Sequence, residues 1–464
     1  MGEYIFTITT FFQIFVFGII CYYFFLGLFG FFKKKEIKNY NKKNRFALII
    51  AAHNEEVVVG NLIESMLKLD YPKDMYDVFV IADNCTDNTA KIARGHNVNV
   101  YERFVSDKRG KGYALEWMFD KLFKLEKQYD AIAIFDADNL VHKNFLKEIN
   151  SKMQDGYKVV QGYIDSKNPN DSWIAAAYSI AFWTQNRMFQ LARANVGFSN
   201  QIGGTGFAIE VNTLKKLGWG ATCLTEDLEF TCKLVLNGEK VGWAHDAIIY
   251  DEKPLKLAQS WTQRKRWMQG FTDVASRYFF KLLKKSIKER KFYIFDCALY
   301  VLQPFITLLL GVSALLTVAQ SNSSGLNIFI MSYLFSDTGW KIFATVQFII
   351  TPLVLALDKK VSKRFLAMMA LYSTNTFIIP YLFETIGNRG LLFTSGITLF
   401  YNLGFLIMTG ILLGKKNLIL FFRFLLYGMY TLTWIPITIQ GILNKNNKDW
   451  NHTKHVRKIE ICDV

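Results

Sequence analysis

The sequence has 464 residues, of which 51% are hydrophobic, 16% aromatic and 20% charged. A soluble protein rarely combines such a high hydrophobic and aromatic content with so many charged residues. Apolar membrane spans in one part of the chain and a charged soluble domain in another would explain the combination. The formal net charge is +16, but the lysine runs flank apolar stretches, which favours lipid headgroups and argues against nucleic acid. The six cysteines show no CxxC spacing, so neither a zinc cluster nor a disulfide framework is indicated.

The first feature along the chain is an apolar stretch rich in Phe at residues 4–32, free of Lys and Arg and followed by Lys33–Lys35. About 20 apolar residues suffice to cross the hydrocarbon core. A signal peptide would need a basic start and a small-residue cleavage site, and neither is present. We therefore predict a transmembrane anchor at residues 1–32, with everything after Lys33 in the cytoplasm.

From residue 45 to 255, short β-branched runs alternate with amphipathic stretches. This alternation predicts an α/β domain with a mostly parallel sheet covered on both faces. In such sheets, ligands lie beyond the carboxyl ends of the strands, where this sequence places polar residues. The predicted strands are 47–52, 78–83, 98–102, 131–136 and 159–163, and the predicted helices between them are 56–69, 88–94 and 113–124.

Asp136 and Asp138 close an apolar strand. Two carboxylates one residue apart can share a divalent cation, which in turn neutralises a diphosphate. A pair of this kind alone is more often a solvated turn, so its company matters. Upstream, Glu55 follows the first predicted strand and Asp83 ends the second. A carboxylate at either position can accept a hydrogen bond from uracil or ribose. Downstream, residues 108–112 combine cations with free backbone N–H groups at a helix start, which suits phosphates.

Two further motifs follow. Glu226 and Asp227 come after a Gly-rich loop at residues 203–206, and a carboxylate there is placed to take the proton from an attacking hydroxyl. The alternative is a structural helix cap. The next motif is Gln263-Arg264-Lys265-Arg266-Trp267. Its Arg266 could bind a diphosphate through two parallel hydrogen bonds, and a sugar ring could stack on Trp267. The alternative is an ordinary interfacial helix with snorkelling cations.

After residue 292 the chain is apolar again, with candidate spans at 292–319, 339–357, 364–386, 391–414 and 417–442. Five crossings from a cytoplasmic start would leave the basic tail outside, which the positive-inside rule disfavours. We therefore predict that one segment is interfacial or re-entrant. Segment 364–386 is our choice because it is the most polar.

Taken together, these motifs resemble the processive family 2 glycosyltransferases. This group includes bacterial cellulose and mixed-linkage β-glucan synthases, and poly-N-acetylglucosamine, chitin and hyaluronan synthases. The resemblance covers roughly residues 45–270 and implies a GT-A-like domain joined to an all-α transmembrane bundle. It rests on five elements in the family's order: Asn54-Glu55, Asp83, Asp136-x-Asp138, Thr225-Glu226-Asp227 and Gln263-x-x-Arg266-Trp267.

The resemblance implies a role for each matched residue, with Asp227 as the catalytic base. It implies Mg²⁺ or Mn²⁺ at Asp136 and Asp138. The donor, a UDP-sugar, would be bound by Ala52, Glu55, Asp83, Lys111, Asp136, Gln263 and Arg266. The acceptor, a growing polysaccharide, would meet Gly204, Thr205, Glu226 and Trp267. The tail Trp450-Asn451-His452-Thr453-Lys454-His455 resembles the WxxTxH element of some single-chain members.

The resemblance also implies an organisation and an activity. We expect an anchor (1–32), a cytosolic GT-A-like domain (33–258), amphipathic interface helices (259–290), a transmembrane channel (291–443) and a cytosolic tail (444–464). The expected enzyme sits in the plasma membrane and polymerises UDP-glucose into a β-1,4 or mixed β-1,3/1,4 glucan. The alternatives are another β-polysaccharide, transfer of one sugar to a lipid, or a non-enzymatic membrane protein. Ala51 departs from the family, which usually has Pro there, and the short tail leaves no room for a cyclic-dinucleotide-binding domain.

Overall fold

The structure, a computed structural model, describes residues 2–41, 43–220, 223–321, 336–386, 389–447 and 455–464. The chain divides into two compact units. We call Leu26–Leu308 with Trp434–Val464 the sheet unit, and Met1–Phe25 with Leu309–Thr433 the helical unit.

Among the described residues, eight strands form one sheet in the sheet unit. They are β1 (Phe46–Ala52), β2 (Tyr76–Asp83), β3 (Asn99–Arg103), β4 (Ala131–Asp136), β5 (Leu140–Val141), β6 (Val159–Ser166), β7 (Phe207–Glu210) and β8 (Val241–Asp251). Their spatial order is β3-β2-β1-β4-β7-β6-β8-β5. Strands β3, β2, β1 and β4 are mutually parallel, as are β6 and β8. Strand β7 is antiparallel to both of its neighbours, and β5 is antiparallel to β8.

Helices cover this sheet and form the rest of the chain. They are α1 (Gly2–Leu28), α2 (Val59–Leu67), α3 (Thr89–Gly95), α4 (Lys111–Leu122), α5 (Phe145–Gln154), α6 (Trp173–Gln185), α7 (Ala192–Val196), α8 (Val211–Leu217), α9 (Glu226–Leu236), α10 (Leu257–Glu289), α11 (Phe292–Val301), α12 (Gln303–Ser321), α13 (Asp337–Leu357), α14 (Lys363–Ser373), α15 (Asn375–Ile386), α16 (Leu391–Leu432) and α17 (Trp434–Leu443). Short 3₁₀ turns lie at Phe29–Phe31, Lys73–Met75 and Ile461–Asp463, and a π-helical segment spans Asn186–Leu191.

Strand β1 shows why the centre of the sheet is buried on both faces. Successive side chains of a strand point to opposite faces. Leu48 and Ile50 belong to one apolar core, which includes residues of α2, and Ile49 belongs to the other, which includes residues of α4. A run that is apolar at almost every position is what a parallel strand between two helical layers requires. The predicted mostly parallel α/β architecture is therefore confirmed, with β5, β7 and β8 as unpredicted additions.

The apolar helices include several candidate membrane spans. By length and composition, four described segments are able to cross a membrane: Phe11–Phe31, Lys363–Ile386, Leu391–Leu412 and Asn417–Leu443. Lys363–Ile386 is thus apolar enough for a span despite its polar centre, and its assignment as the re-entrant segment stays a prediction. A strong bend of 68° separates Phe292–Val301 from Gln303–Ser313.

Candidate active site

The predicted donor and base residues meet around Lys111, the first residue of α4. The Lys111 ammonium donates to Asp136 Oδ1 at 2.5 Å and to the Gly204 carbonyl oxygen at 2.7 Å. Thr205 fixes the same strand end, because its Oγ1 accepts from the Asp136 backbone N–H at 3.0 Å. A cation is therefore held between the end of β4 and the Gly-rich loop.

Asp227 lies on the other side of that loop, in the first turn of α9. Gly204 has φ +83°, a left-handed conformation that favours glycine, and a Cβ there would lie 3.5 Å from Asp227 Oδ2. The structure thus brings Asp227, Lys111 and Asp136 together, although 91 residues separate the two acids in sequence. Had Asp227 faced another side of the molecule, the predicted constellation would not exist.

The electrostatics of this cluster suit proton transfer. Burial raises the pKa of Asp227 to about 7, and the neighbouring Glu226 adds to the rise. Burial also raises the pKa of Glu226, opposed by the positive charges of Lys111 and Arg266. Burial lowers the pKa of Lys111, but the acids around it prevail and raise it. Asp227 is therefore poised between its protonated and ionised forms near neutral pH.

Asp138 lies deeper than Asp136 and is 3% exposed. Its Oδ2 accepts from the Glu252 backbone N–H at 3.1 Å, and its carbonyl oxygen accepts from Lys167 Nζ at 2.8 Å. Burial raises the pKa of Asp138 to about 8, with a smaller contribution from Asp251 and opposition from His455. A bound cation would favour the charged form of this carboxylate.

These two carboxylates fit a Mg²⁺ or Mn²⁺ ion that is shared with a diphosphate. The described residues contain no group of three or more His, Cys, Asp or Glu side chains arranged to hold a metal. Asp136 and Asp138 stay the predicted ligands from the protein. Mg²⁺ is commonly held in this way, by one or two carboxylates together with substrate phosphates and water.

The residues predicted to bind the uridine of the donor lie at the ends of β1 and β2. Asp83 is buried, and its Oδ1 accepts from Arg103 Nη1 at 2.5 Å. Arg103 was missed in the sequence because it lies 20 residues away on β3, with no motif around it. Ala52 ends β1, and its carbonyl oxygen accepts weakly from Cys85 Sγ at 3.5 Å. The roles of Ala52 and Asp83 toward a nucleotide remain predictions.

Glu55 has a partner from the far end of the chain. His455 Nδ1 lies 2.9 Å from Glu55 Oε1, and His455 Nε2 lies 3.8 Å from Asp138 Oδ2. The following backbone is held by Glu252, whose carboxylate accepts from the N–H groups of Val456 and Arg457 at 3.1 and 3.4 Å. The sequence drew attention to this tail but gave His455 no role. Trp450 to Lys454 lie outside the described residues.

Trp267, the predicted acceptor platform, lies on α10 and packs against aromatic side chains of other helices. The ring centroid of Trp267 lies 6.0 Å from that of Tyr178, 6.3 Å from Phe182 and 6.5 Å from Trp434. Gln263 Oε1 accepts from the Tyr178 hydroxyl at 2.5 Å. The helical stretch at 172–194 contributes Tyr178 and Phe182. It consists of α6, the π-helical segment and α7.

Comparison with known proteins identifies the class of the domain. Residues 44–270 match the family described as "Glycosyltransferase like family 2". The mannosyltransferase PcManGT from Pyrobaculum calidifontis, solved in complex with GDP-Man and Mn²⁺, has a similar fold, with a TM-score of 0.53 and 17% identity over 77% of this chain and 98% of that chain. Residues 44–270 are therefore similar to family 2 glycosyltransferase domains, and the predicted GT-A-like fold is confirmed.

Of three curated relatives, two have names that state a product, and the two products differ. The chain is 29% identical over 270 residues to the probable glycosyltransferase YdaM of Bacillus subtilis (strain 168), covering 56% of this chain and 63% of that protein. It is 28% identical to the beta-monoglucosyldiacylglycerol synthase of Synechocystis sp. (strain ATCC 27184 / PCC 6803 / Kazusa), covering 48% and 47%. It is 25% identical to the poly-beta-1,6-N-acetyl-D-glucosamine synthase of Staphylococcus aureus (strain COL), covering 63% and 70%. The matched region spans less than two thirds of the first relative and about half of the second.

Proposed function

We propose that the chain is a membrane-embedded, inverting glycosyltransferase that uses a UDP-sugar, with UDP-glucose as our choice, to extend a β-linked polysaccharide. The observation that carries the proposal is the cluster of Asp227, Lys111 and Asp136 around the Gly-rich loop, in a domain similar to family 2 glycosyltransferases. Within this cluster, the Lys111 ammonium would bind a donor phosphate and the Asp227 carboxylate would accept the proton of an acceptor hydroxyl.

In the proposed reaction, Asp227 accepts the proton of an acceptor hydroxyl as that oxygen attacks the anomeric carbon. The new C–O bond forms while the bond between the anomeric carbon and the diphosphate oxygen breaks, and UDP leaves with both electrons. A single displacement inverts the anomeric configuration. A pKa near 7 lets Asp227 take a proton and later release it to solvent.

Lys111 and Arg266 would supply positive charge to the leaving diphosphate, since preorganised cations are worth most where charge develops. A Mg²⁺ or Mn²⁺ ion held by Asp136 and Asp138 would add Lewis-acid stabilisation of the same diphosphate. The ring of Trp267, packed by three other aromatic side chains, would present one face to the terminal acceptor sugar. Glu55, Asp83 and Ala52 would surround the uridine.

The proposed location is the plasma membrane, with residues 33–258 in the cytoplasm. Four described helices are long and apolar enough to span a bilayer, and Lys33–Lys35 follows the first of them. Lysines beside a span favour the cytoplasmic side. The helices of residues 291–443 would then form the route by which the product leaves, and residues 259–290 would lie along the membrane surface.

A second candidate is non-processive transfer of one sugar to a lipid. Similarity to a beta-monoglucosyldiacylglycerol synthase favours it, whereas similarity to a poly-beta-1,6-N-acetyl-D-glucosamine synthase favours a polymer. Gln263, Arg266 and Trp267 favour the polymer too, because a one-step transferase does not need an acceptor platform that rebinds its product. The choice of glucose over N-acetylglucosamine, and of the linkage, belongs to the proposal.

The deciding experiment incubates the purified protein with Mn²⁺ and single UDP-sugars, measures UDP release, and digests the product with linkage-specific glycanases. A ladder of long products that a β-glucanase degrades supports the proposal. One added sugar on a diacylglycerol acceptor supports the second candidate. No UDP release from UDP-glucose or UDP-N-acetylglucosamine, with or without acceptor, would contradict both.

A further inference from the structure

Helix α10, which carries Gln263 to Trp267, touches the residue immediately before Glu226 and the candidate catalytic base Asp227. Gly270 of α10 faces Thr225, the residue before Glu226 and Asp227. A Cβ at Gly270 would overlap Thr225 Cγ2 and would lie 2.5 Å from its Oγ1 and 2.9 Å from its Cβ. Carbon atoms do not approach so closely, so the two helices have this spacing only because residue 270 has no side chain. The requirement is for space, since Gly270 has no left-handed φ.

A second contact joins the same two helices farther along. Glu229 of α9 is 3% exposed and accepts from Arg277 Nη1 and Nη2 at 2.8 and 3.2 Å. The Tyr278 hydroxyl also donates to Glu229, at 3.0 Å. Paired N–H donors on one carboxylate restrict rotation as well as distance. This ion pair lies one turn beyond Thr225 on α9 and two turns beyond Gly270 on α10, so the helices are fixed at two points.

We propose that Gly270 and Glu229 are positioning residues that hold α9, and with it Asp227, in register with the Trp267 platform. The inference rests on the proposed function and adds the means by which base and acceptor are aligned. The contacts described above join α9 to α10 and do not include Lys111 or Asp136. An acceptor hydroxyl must lie near the Asp227 carboxylate while its sugar ring rests on Trp267, and these two groups stand on different helices.

The size of the expected effect follows from the chemistry. A misplacement of about 1 Å between reacting groups costs on the order of 100-fold in rate. Gly270→Ala forces a shift of that kind, because the added methyl meets Thr225. We expect kcat to fall on the order of 100-fold. The KM for the UDP-sugar should change less than kcat, since Lys111 and Asp136 keep their contacts off α10 and only Gln263 and Arg266 among the proposed donor residues lie on that helix.

The sharpest test is rescue by a second substitution. Thr225→Ala removes the two atoms that a Cβ at Gly270 would meet most closely, and the Thr225 side chain gives α9 no capping hydrogen bond. The double variant Gly270→Ala/Thr225→Ala should recover part of the lost kcat, because only the Thr225 Cβ, at 2.9 Å, still meets the added methyl. Thr225→Ala alone is the reference. Gly242→Ala is the matched control, because its Cβ would lie 2.7 Å from Tyr157 Cγ, away from α9 and α10. It should lower the melting temperature without lowering kcat per folded molecule.

Arg277→Lys and Tyr278→Phe test the second contact with milder changes, which keeps the test valid if Gly270→Ala does not fold. Each should lower kcat in the folded protein more than it changes the donor KM. A wild-type kcat in folded Gly270→Ala, or no recovery in the double variant, would overturn the inference. So would normal kcat in both milder variants. A wild-type protein that releases no UDP would instead refute the proposed function, before any variant is compared.

Discussion

His455 Nδ1 lies 2.9 Å from a carboxylate oxygen of Glu55, 400 positions away in the sequence. The other ring nitrogen faces Asp138 at 3.8 Å. Burial lowers the pKa of His455, but the nearby carboxylates prevail and raise it to about 10, so the ring carries a positive charge. A cation from the tail is thus located among the carboxylates that would hold a metal and a nucleotide.

This arrangement predicts that the His455→Ala variant binds Mn²⁺ more tightly. Removing a positive charge beside Asp138 strengthens the attraction for a divalent cation, by about 5- to 10-fold if the effect equals one typical charge contact of about 1 kcal/mol. Isothermal titration with Mn²⁺ without nucleotide measures it directly. His96→Ala is the control, since His96 lies on the surface after α3. Unchanged or weaker Mn²⁺ affinity in His455→Ala would contradict the prediction.

Asp227→Asn should abolish turnover and leave UDP binding intact. An amide cannot accept the proton of the attacking hydroxyl, and loss of a general base costs on the order of 10³-fold. The hydrogen bonds that place Lys111 for the donor diphosphate go to Asp136 and Gly204 and do not include Asp227. UDP release and fluorescence titration with UDP measure the two effects separately. Lost UDP binding in this variant would remove Asp227 from the base role.

The activity of the wild-type protein should depend on pH through Asp227. Its pKa is raised to about 7 by burial and by Glu226, and the base works only when ionised. Activity should therefore reach a plateau above pH 7 and fall about tenfold per pH unit well below it. Initial rates of UDP release at saturating donor between pH 5.5 and 8.5 measure the profile. A flat profile over this range would argue for a different base.

The same raised pKa predicts a cost in stability. Between the ordinary value of 3.8 and about 7, the folded protein holds a proton that the unfolded chain releases, so stability falls as pH rises through this window. The amide that Asp227→Asn introduces does not titrate. The variant should melt a few degrees above wild type at pH 8, with a smaller gain at pH 5. Thermal unfolding in detergent at both pH values is the measurement, and an equal gain at both would contradict it.

Trp267 should determine product length. Trp267→Ala removes the ring that its three aromatic neighbours hold in place, whereas Trp267→Phe keeps a smaller face. Stacking of this kind is worth about 1 kcal/mol, so the acceptor KM should rise several-fold in Trp267→Ala. Gel analysis should show shorter products in Trp267→Ala than in Trp267→Phe. Products of wild-type length in both would mean that the acceptor does not rest on this ring.

The sequence predicted the half of the fold that follows local rules. Strands such as β1 and β4 are apolar at almost every position and end in polar residues, which is typical of buried parallel strands. The order of the motifs then indicated that Asp136, Lys111 and Asp227 belong to one site. Helix α4 was predicted two residues late, because Lys111 lies in a glycine-flanked loop pattern that conceals the start of the helix.

The remaining features depend on the path of the chain. Strand β5 has two residues and β7 has four, which is too short for any periodicity to be visible. The Asp83 ion pair with Arg103 needs β3 to lie beside β2, and the Glu55 contact with His455 needs the tail to return across the whole domain. The π-helical turn at 186–191 has no signature in residue type. No local pattern encodes such long-range neighbours.

The tail is held at Glu252 through main-chain N–H groups rather than through side chains. Every amino acid except proline offers the same N–H group, so the Glu252 contact persists when the sequence drifts at positions 456 and 457. Only the ion pair of Arg457 with Asp171 would be lost. Relatives with dissimilar tails could therefore share this arrangement without any detectable motif. A proline at either position is the replacement that such drift should avoid.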